Sequence, residues 1–78
     1  MTLVERLKAI RAREGMTQAM FCRDLGMSIS TYKKYEGGFT EMGVAPFLTI
    51  ANHPRFKKYA LWLTTGDSAP DSGQISPL

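Results

Sequence analysis

The stretch Thr17-Gln18-Ala19-Met20-Phe21-Cys22-Arg23-Asp24-Leu25-Gly26-Met27-Ser28-Ile29-Ser30-Thr31-Tyr32-Lys33-Lys34-Tyr35-Glu36 decides the fold. Two hydroxyl residues, Thr17 and Ser28, each stand where a helix can open, because a side-chain oxygen can accept from the free amides of the first turn. Phe21, Cys22 and Leu25 then fall on one side of the first helix, and Tyr32 and Tyr35 on one side of the second. Between them Gly26 supplies a residue that tolerates positive φ. Two helices over 17–25 and 28–36, joined by a turn at Gly26-Met27, make a helix-turn-helix. The crossing requires a small residue inside the first helix, and Cys22 is small. It also requires apolar flanks, and Phe21, Leu25, Met27 and Tyr32 are apolar.

Outward from this pair the pattern stays helical. Residues 3–13 set Leu3, Val4, Leu7 and Ile10 on one stripe, with Thr2 as N-cap and Gly15 beyond the end. Residues 37–38, both glycine, end the third helix, and 39–45 reads as a loop. A fourth helix is expected over 46–52, opening on Pro46 and burying Phe47, Leu48, Ile50 and Ala51. A fifth is expected over 55–65, with Phe56, Tyr59, Ala60 and Leu63 on one face. Trp62 lies about a third of a turn off that face and is expected to be partly exposed. The expected class is all-α: a compact five-helix domain over 1–66. Residues 67–78, DSAPDSGQISPL, are rich in Ser, Pro, Gly and Asp and read as a flexible tail or linker.

Composition narrows the function. The 78 residues allow one domain at most. One cysteine permits no internal disulfide and no cysteine-based zinc site, which fits a reducing compartment. No apolar run approaches the roughly 20 residues of a membrane span, and the N-terminus lacks the apolar centre of a signal peptide. Residues 1–66 carry ten bases against five acids, a surplus of +5, while 67–78 hold only Asp67 and Asp71. A basic body suits a polyanion. No Ser-His-Asp set, supported carboxylate pair or glycine-rich phosphate loop is present, so no catalytic residue is assigned. His53 has no second ligand nearby, so no metal or other cofactor is expected. Membrane and small-molecule partners are not expected either.

The spaced motif Arg11-x-x-x-Gly15-Met16-Thr17-Gln18, with Phe21-Cys22-x-x-Leu25-Gly26-Met27-Ser28-x-Ser30-Thr31-Tyr32-x-x-Tyr35-Glu36-x-Gly38, resembles the Cro and phage-repressor (xenobiotic-response-element type) helix-turn-helix family. Trp62-Leu63-x-x-Gly66 resembles that family's closing helix. The chain departs from the family in having Cys22 for its usual Ala, Tyr32 for a branched aliphatic, and a longer loop after Gly38. The resemblance implies a lambda-repressor-like domain with its helix-turn-helix at helices 2 and 3. It also implies a transcriptional regulator, a phage or prophage repressor or Cro-like protein in the cytoplasm of a bacterial or phage-infected cell.

On that reading helix 29–36 enters the major groove of double-stranded DNA with its N-terminal end toward the bases. The expected DNA-binding residues are Thr17, Gln18, Ser28, Ile29, Ser30, Thr31, Lys33 and Lys34. Lysine can donate to guanine O6 and N7, Ser and Thr to several edges, and Ile29 can meet a thymine methyl. The resemblance places Gln18 over the phosphate backbone, and the amides after Thr17 favour a phosphate. It also makes Arg11 and Glu36 a structural ion pair. A homodimer would bind an inverted-repeat operator, with the fifth helix at Trp62 and the loop 39–45 as candidate contacts. The alternative is a helix-turn-helix turned protein-binding module, antitoxin-, antirepressor- or adaptor-like. An acidic or broadly apolar face on 29–36 would mark it.

Overall fold

Helix α1 spans Leu3–Arg13, α2 Gln18–Leu25, α3 Ile29–Glu36, α4 Val44–Asn52 and α5 Ala60–Thr65 in the computed structural model, which describes residues 1–78. The first three open where their caps dictate. The Thr2 and Glu5 side chains satisfy each other's backbone amides in a capping box at the head of α1. Thr17 Oγ1 accepts from the Met20 amide at 3.1 Å, and Ser28 Oγ accepts from the Thr31 amide at 3.4 Å. Gly26 takes φ 69°, and the Met27 amide donates to the Cys22 carbonyl at 2.9 Å, closing α2 within one residue.

The core is one cluster that draws on every helix. It holds Leu7 and Ile10 from α1, Phe21, Cys22 and Leu25 from α2, Tyr32 from α3, Ile50 from α4, and Trp62 and Leu63 from α5. Phe21 sits at its centre, 5.3 Å from the Tyr32 ring and 4.8 Å from Phe56 between ring centroids. Cys22 is buried, as a small residue at a close helix crossing should be. Helices α2 and α3 pack on each other and α3 on α1, while α4 packs toward α5 and the turn before it.

Four expectations need correction. Leu48, expected to be buried on the fourth helix, is 48% exposed. The fourth helix starts at Val44 and not at Pro46, so Pro46 is its third residue. The first four amides of a helix have no intrahelical acceptor, so proline is tolerated there as well as at the first position. The expected fifth helix over 55–65 divides into a 3₁₀ turn, Lys57–Tyr59, and the short α5. Trp62 is not exposed: 5% of its surface meets solvent, and it belongs to the core.

The stretch read as a flexible tail also folds back. Pro70–Ser72 form a 3₁₀ turn, and Ala69 and Gln74 pair as an isolated antiparallel bridge. The Ile75 amide donates to the Lys58 carbonyl at 2.8 Å, Ile75 packs on the core, and Pro77 is buried. Helix α5 has no side-chain cap of its own at its head. Gln74 serves instead: its Oε1 accepts from the Leu61 amide at 3.0 Å, and its Nε2 donates to the Lys57 carbonyl at 3.0 Å. One amide side chain thus satisfies a backbone donor and a backbone acceptor at the junction of turn and helix.

Candidate nucleic-acid interface

Helix α3 buries two residues, Tyr32 and Glu36, and half-buries Tyr35. Ser28 at its head and Ile29, Ser30, Thr31, Lys33 and Lys34 along it are all exposed. A helix fixed at positions 32, 35 and 36 turns 30, 33 and 34 outward, since side chains three or four apart share a face, while Ile29, one turn before Tyr32, lies at the border of the buried side and is 39% exposed. The only acid in α3 is Glu36, and it is buried. The outward face therefore carries two ammonium groups, three hydroxyls and one aliphatic side chain, without an opposing charge. Ser28 Oγ and Ser30 Oγ lie 2.9 Å apart, so the two hydroxyls hold each other at the head of the helix.

The angle at which α3 is presented is fixed from behind by Glu36. Arg11 of α1 grips its carboxylate with both arms of the guanidinium, Nε to Oε2 at 2.9 Å and Nη2 to Oε1 at 3.0 Å. Its third nitrogen, Nη1, donates to the Met16 carbonyl at 3.1 Å. Gln18 of α2 adds a hydrogen bond from Nε2 to Oε1 at 3.2 Å. One buried carboxylate thus joins α1, α2 and α3. Burial works to raise the Glu36 carboxyl, but donation from Arg11 and Gln18 outweighs it and holds the group below the usual carboxylate range. The ion pair is the one that the resemblance implies.

Gln18, for which the resemblance implies a phosphate contact, is hydrogen-bonded within the chain to Glu36. It is half-buried and turned toward Glu36, leaving its carbonyl oxygen free of a partner within the chain. Its neighbour Thr17 is exposed, with its hydroxyl committed to the cap of α2.

A second ionic centre holds the rear of the domain. Glu14, at the end of α1, accepts from Arg55 Nε at 2.8 Å and from the Tyr59 hydroxyl at 2.8 Å, and Lys58 Nζ stands 3.3 Å away. Burial works to raise its pKa, but these donors outweigh it and hold the carboxyl at about 2. Spacing could not have revealed this centre, because its members lie more than forty residues apart. Arg55 also reaches Asp24 Oδ2 at 3.5 Å, and His53 meets the Asp24 carbonyl through Nε2 at 3.1 Å. His53 Nδ1 accepts from the Arg55 amide, so Nε2 carries the proton. The histidine braces α2 against the α4–α5 connection. Among the other basic residues, Arg6 donates to the Leu63 carbonyl and Lys58 faces Glu14, whereas Arg23 stays exposed on α2.

No helix is long and apolar enough to cross a membrane. Residues 2–48, which carry α1 to α3 and the Glu36 clamp, match the helix-turn-helix domain family. Repressor protein C of Escherichia phage P2 is 30% identical over 76 residues, covering 97% of this chain and 77% of that protein. The exposed hydroxyl and lysine face, the Gly26 turn and these two matches agree: the chain belongs to the Cro- and phage-repressor-like helix-turn-helix family of DNA-binding transcriptional regulators.

Proposed function

We propose that this chain is a repressor or Cro-like regulator that lays α3 in the major groove and reads its operator as a homodimer in the cytoplasm of a bacterial or phage-infected cell. The observation that carries the reading is the outward face of α3: Ile29, Ser30, Thr31, Lys33 and Lys34 exposed together, with its one acid turned inward. That face is neither acidic nor broadly apolar, so it suits a nucleic acid better than the protein-binding alternative. The name of the phage P2 relative, a repressor, points the same way.

The residues then divide by task. Lys33 and Lys34 donate to guanine edges or to phosphates, Ser30 and Thr31 to base edges, and Ile29 covers a thymine methyl. Ser28, Thr17 and the first amides of α2 take backbone phosphates. Gln18, held by Glu36, presents its carbonyl oxygen toward the groove and accepts from a neighbouring donor. Two copies related by a two-fold axis place their recognition helices on half-sites about 34 Å apart. The domain measures 36 × 21 × 21 Å between Cα extremes, so neighbouring copies at that spacing come within reach of each other.

Selection of bound duplexes from a random pool tests this. An inverted repeat with half-sites one helical turn apart is expected, with affinity falling steeply as salt rises. A pool that never enriches, together with a flat salt response, would contradict the reading.

A further inference from the structure

Ser28 and Ser30 stand at the head of α3 with their hydroxyl oxygens 2.9 Å apart, and both residues are exposed. Three other hydroxyls of the protein turn back on their own helices. Thr49, Thr64 and Thr65 each donate to the carbonyl four residues earlier, at 3.0, 2.8 and 2.9 Å. Ser30 has no such carbonyl. It is the second residue of α3, and four residues before it stands Gly26, in the left-handed conformation and outside the helix. Its proton is left for Ser28 or for a group outside the chain.

The bond between the two hydroxyls can run either way, and its direction decides what α3 offers. When Ser30 donates to Ser28, it shows its lone pairs outward and accepts. When Ser28 donates to Ser30, the Ser30 proton turns outward and the residue donates. Ser28 Oγ already accepts from the Thr31 amide at 3.4 Å as the cap of α3. Its lone pairs face the open amides at the positive end of the helix, which turns its proton away from them. A hydroxyl that accepts from an amide is also the stronger donor, because the two bonds polarise each other. The bonds thus run one way, from the Thr31 amide through Ser28 to Ser30, and Ser30 ends the series with an outward proton. The Ser28 backbone amide donates to no carbonyl of the chain and stays free to meet a phosphate.

We propose that Ser28 is a positioning residue that fixes Ser30 as a donor, and that the base met by Ser30 is for that reason a keto base, guanine or thymine. This rests on the reading of α3 as the recognition helix. A serine free to rotate suits any base, since its hydroxyl both donates and accepts. Tethered to Ser28, it offers only its proton. In the major groove guanine shows two acceptors, N7 and O6, and thymine shows O4. Cytosine shows an amino group instead, and adenine sets one beside its N7. An outward O–H is therefore satisfied by the keto bases and meets an amino proton on the other two. Ile29, the neighbour of Ser30, is 39% exposed and adds an aliphatic contact where the base is thymine.

The test compares the full chain with Ser30→Ala, Ser28→Thr, Ser28→Asp and Ser28→Ala. Threonine and aspartate both cap helices, so these two changes keep α3 intact. Ser28→Thr retains the donor. Ser28→Asp offers only acceptors, so Ser30 must donate to it and turn its lone pairs outward. Duplexes are selected from a random pool with the wild-type chain, and the position whose preference Ser30→Ala removes is identified. Binding is then measured with each of the four bases there. Wild type and Ser28→Thr are expected to favour guanine or thymine by about fivefold to tenfold, and Ser28→Asp to favour adenine or cytosine. Ser28→Ala releases the Ser30 hydroxyl and should bring the four bases within about twofold of one another. The added charge of Ser28→Asp weakens all four duplexes alike, so the ratio among bases is read and not the affinity; should that variant bind nothing, Ser28→Ala decides. A keto preference that survives in Ser28→Asp or Ser28→Ala overturns the proposal, as does a wild-type preference for adenine or cytosine, or a Ser30→Ala variant that alters no position. A pool that never enriches sinks the DNA reading and the role of Ser28 together, whereas enrichment with an unmoved preference sinks the role of Ser28 alone.

Discussion

At the residue scale the carboxylates carry the architecture. Glu36 is buried and depends on Arg11 for its charge balance, so removing one partner should cost more than the pair contributes. Arg11→Ala is expected to lower the unfolding free energy by about 3 kcal/mol, because it strands a buried charge, and paired apolar replacement at 11 and 36 should cost less. Denaturant titration checks both, and a cost under half a kilocalorie for Arg11→Ala would refute the clamp. Glu14 gives a pH signature. Its carboxyl titrates at about 2 in the folded chain against an ordinary 4.5. A lowered folded value means the contribution is complete above 4.5 and is lost as pH falls toward 2. Screening by the half-exposed Arg55 and Lys58 leaves it at about 1–2 kcal/mol. Glu14→Gln should flatten the stability profile between those pH values, and an unaltered profile would locate the acid sensitivity elsewhere. On the recognition face, Lys34→Ala or Ser30→Ala should change discrimination between operator and random duplex by about 1–3 kcal/mol where the side chain reads a base. Equal losses on both duplexes would assign that residue to phosphate. Arg11 and Glu36 were legible as a pair from their place in a known pattern. The bond from Gln18 was not, since a glutamine's direction depends on which neighbour reaches it first, and spacing does not encode that.

At the scale of elements, legibility follows the caps. Thr2, Thr17 and Ser28 place the first three helices within a residue of where the hydroxyls and the apolar stripes set them. Helices α4 and α5 have no side-chain cap of their own, and there the boundaries shift. With Gly43 as N-cap, α4 begins at Val44, two residues before the helix-favouring Pro46, and a 3₁₀ turn takes the first part of the expected fifth helix. The tail shows why composition misleads over short stretches. Its Ser, Pro and Gly content suggests too little apolar area to offset ordering, yet Ile75 packs on the core, Pro77 is buried and the Gln74 amide bonds the head of α5. Truncation after Gly66 is expected to lower the unfolding free energy by about 2–3 kcal/mol, through lost hydrogen bonds and the exposed ends of α5. Gln74→Ala alone should cost about 1 kcal/mol. Thermal melts of the three proteins decide it: identical midpoints would mean that residues 67–78 contribute nothing to the domain.

At the scale of the molecule, the charges and the apolar surface separate. The helix-turn-helix presents lysines and hydroxyls, the Glu14 and Glu36 centres lock the helices behind it, and the stretch 37–52 offers an edge with no base and one acid, Glu41. The exposure of the recognition face was legible from helical periodicity around Tyr32 and Tyr35. The burial of Trp62 was not, because it depends on how α5 docks on the core. The central claim is that the outward side of α3 meets DNA. Nuclear magnetic resonance of the labelled full chain, titrated with a selected operator duplex, tests it most directly. The largest shifts are expected in the amides of 28–34 and in the side chains of Gln18, Lys33 and Lys34. Unperturbed signals there, with the shifts gathered elsewhere on the domain, would contradict the account.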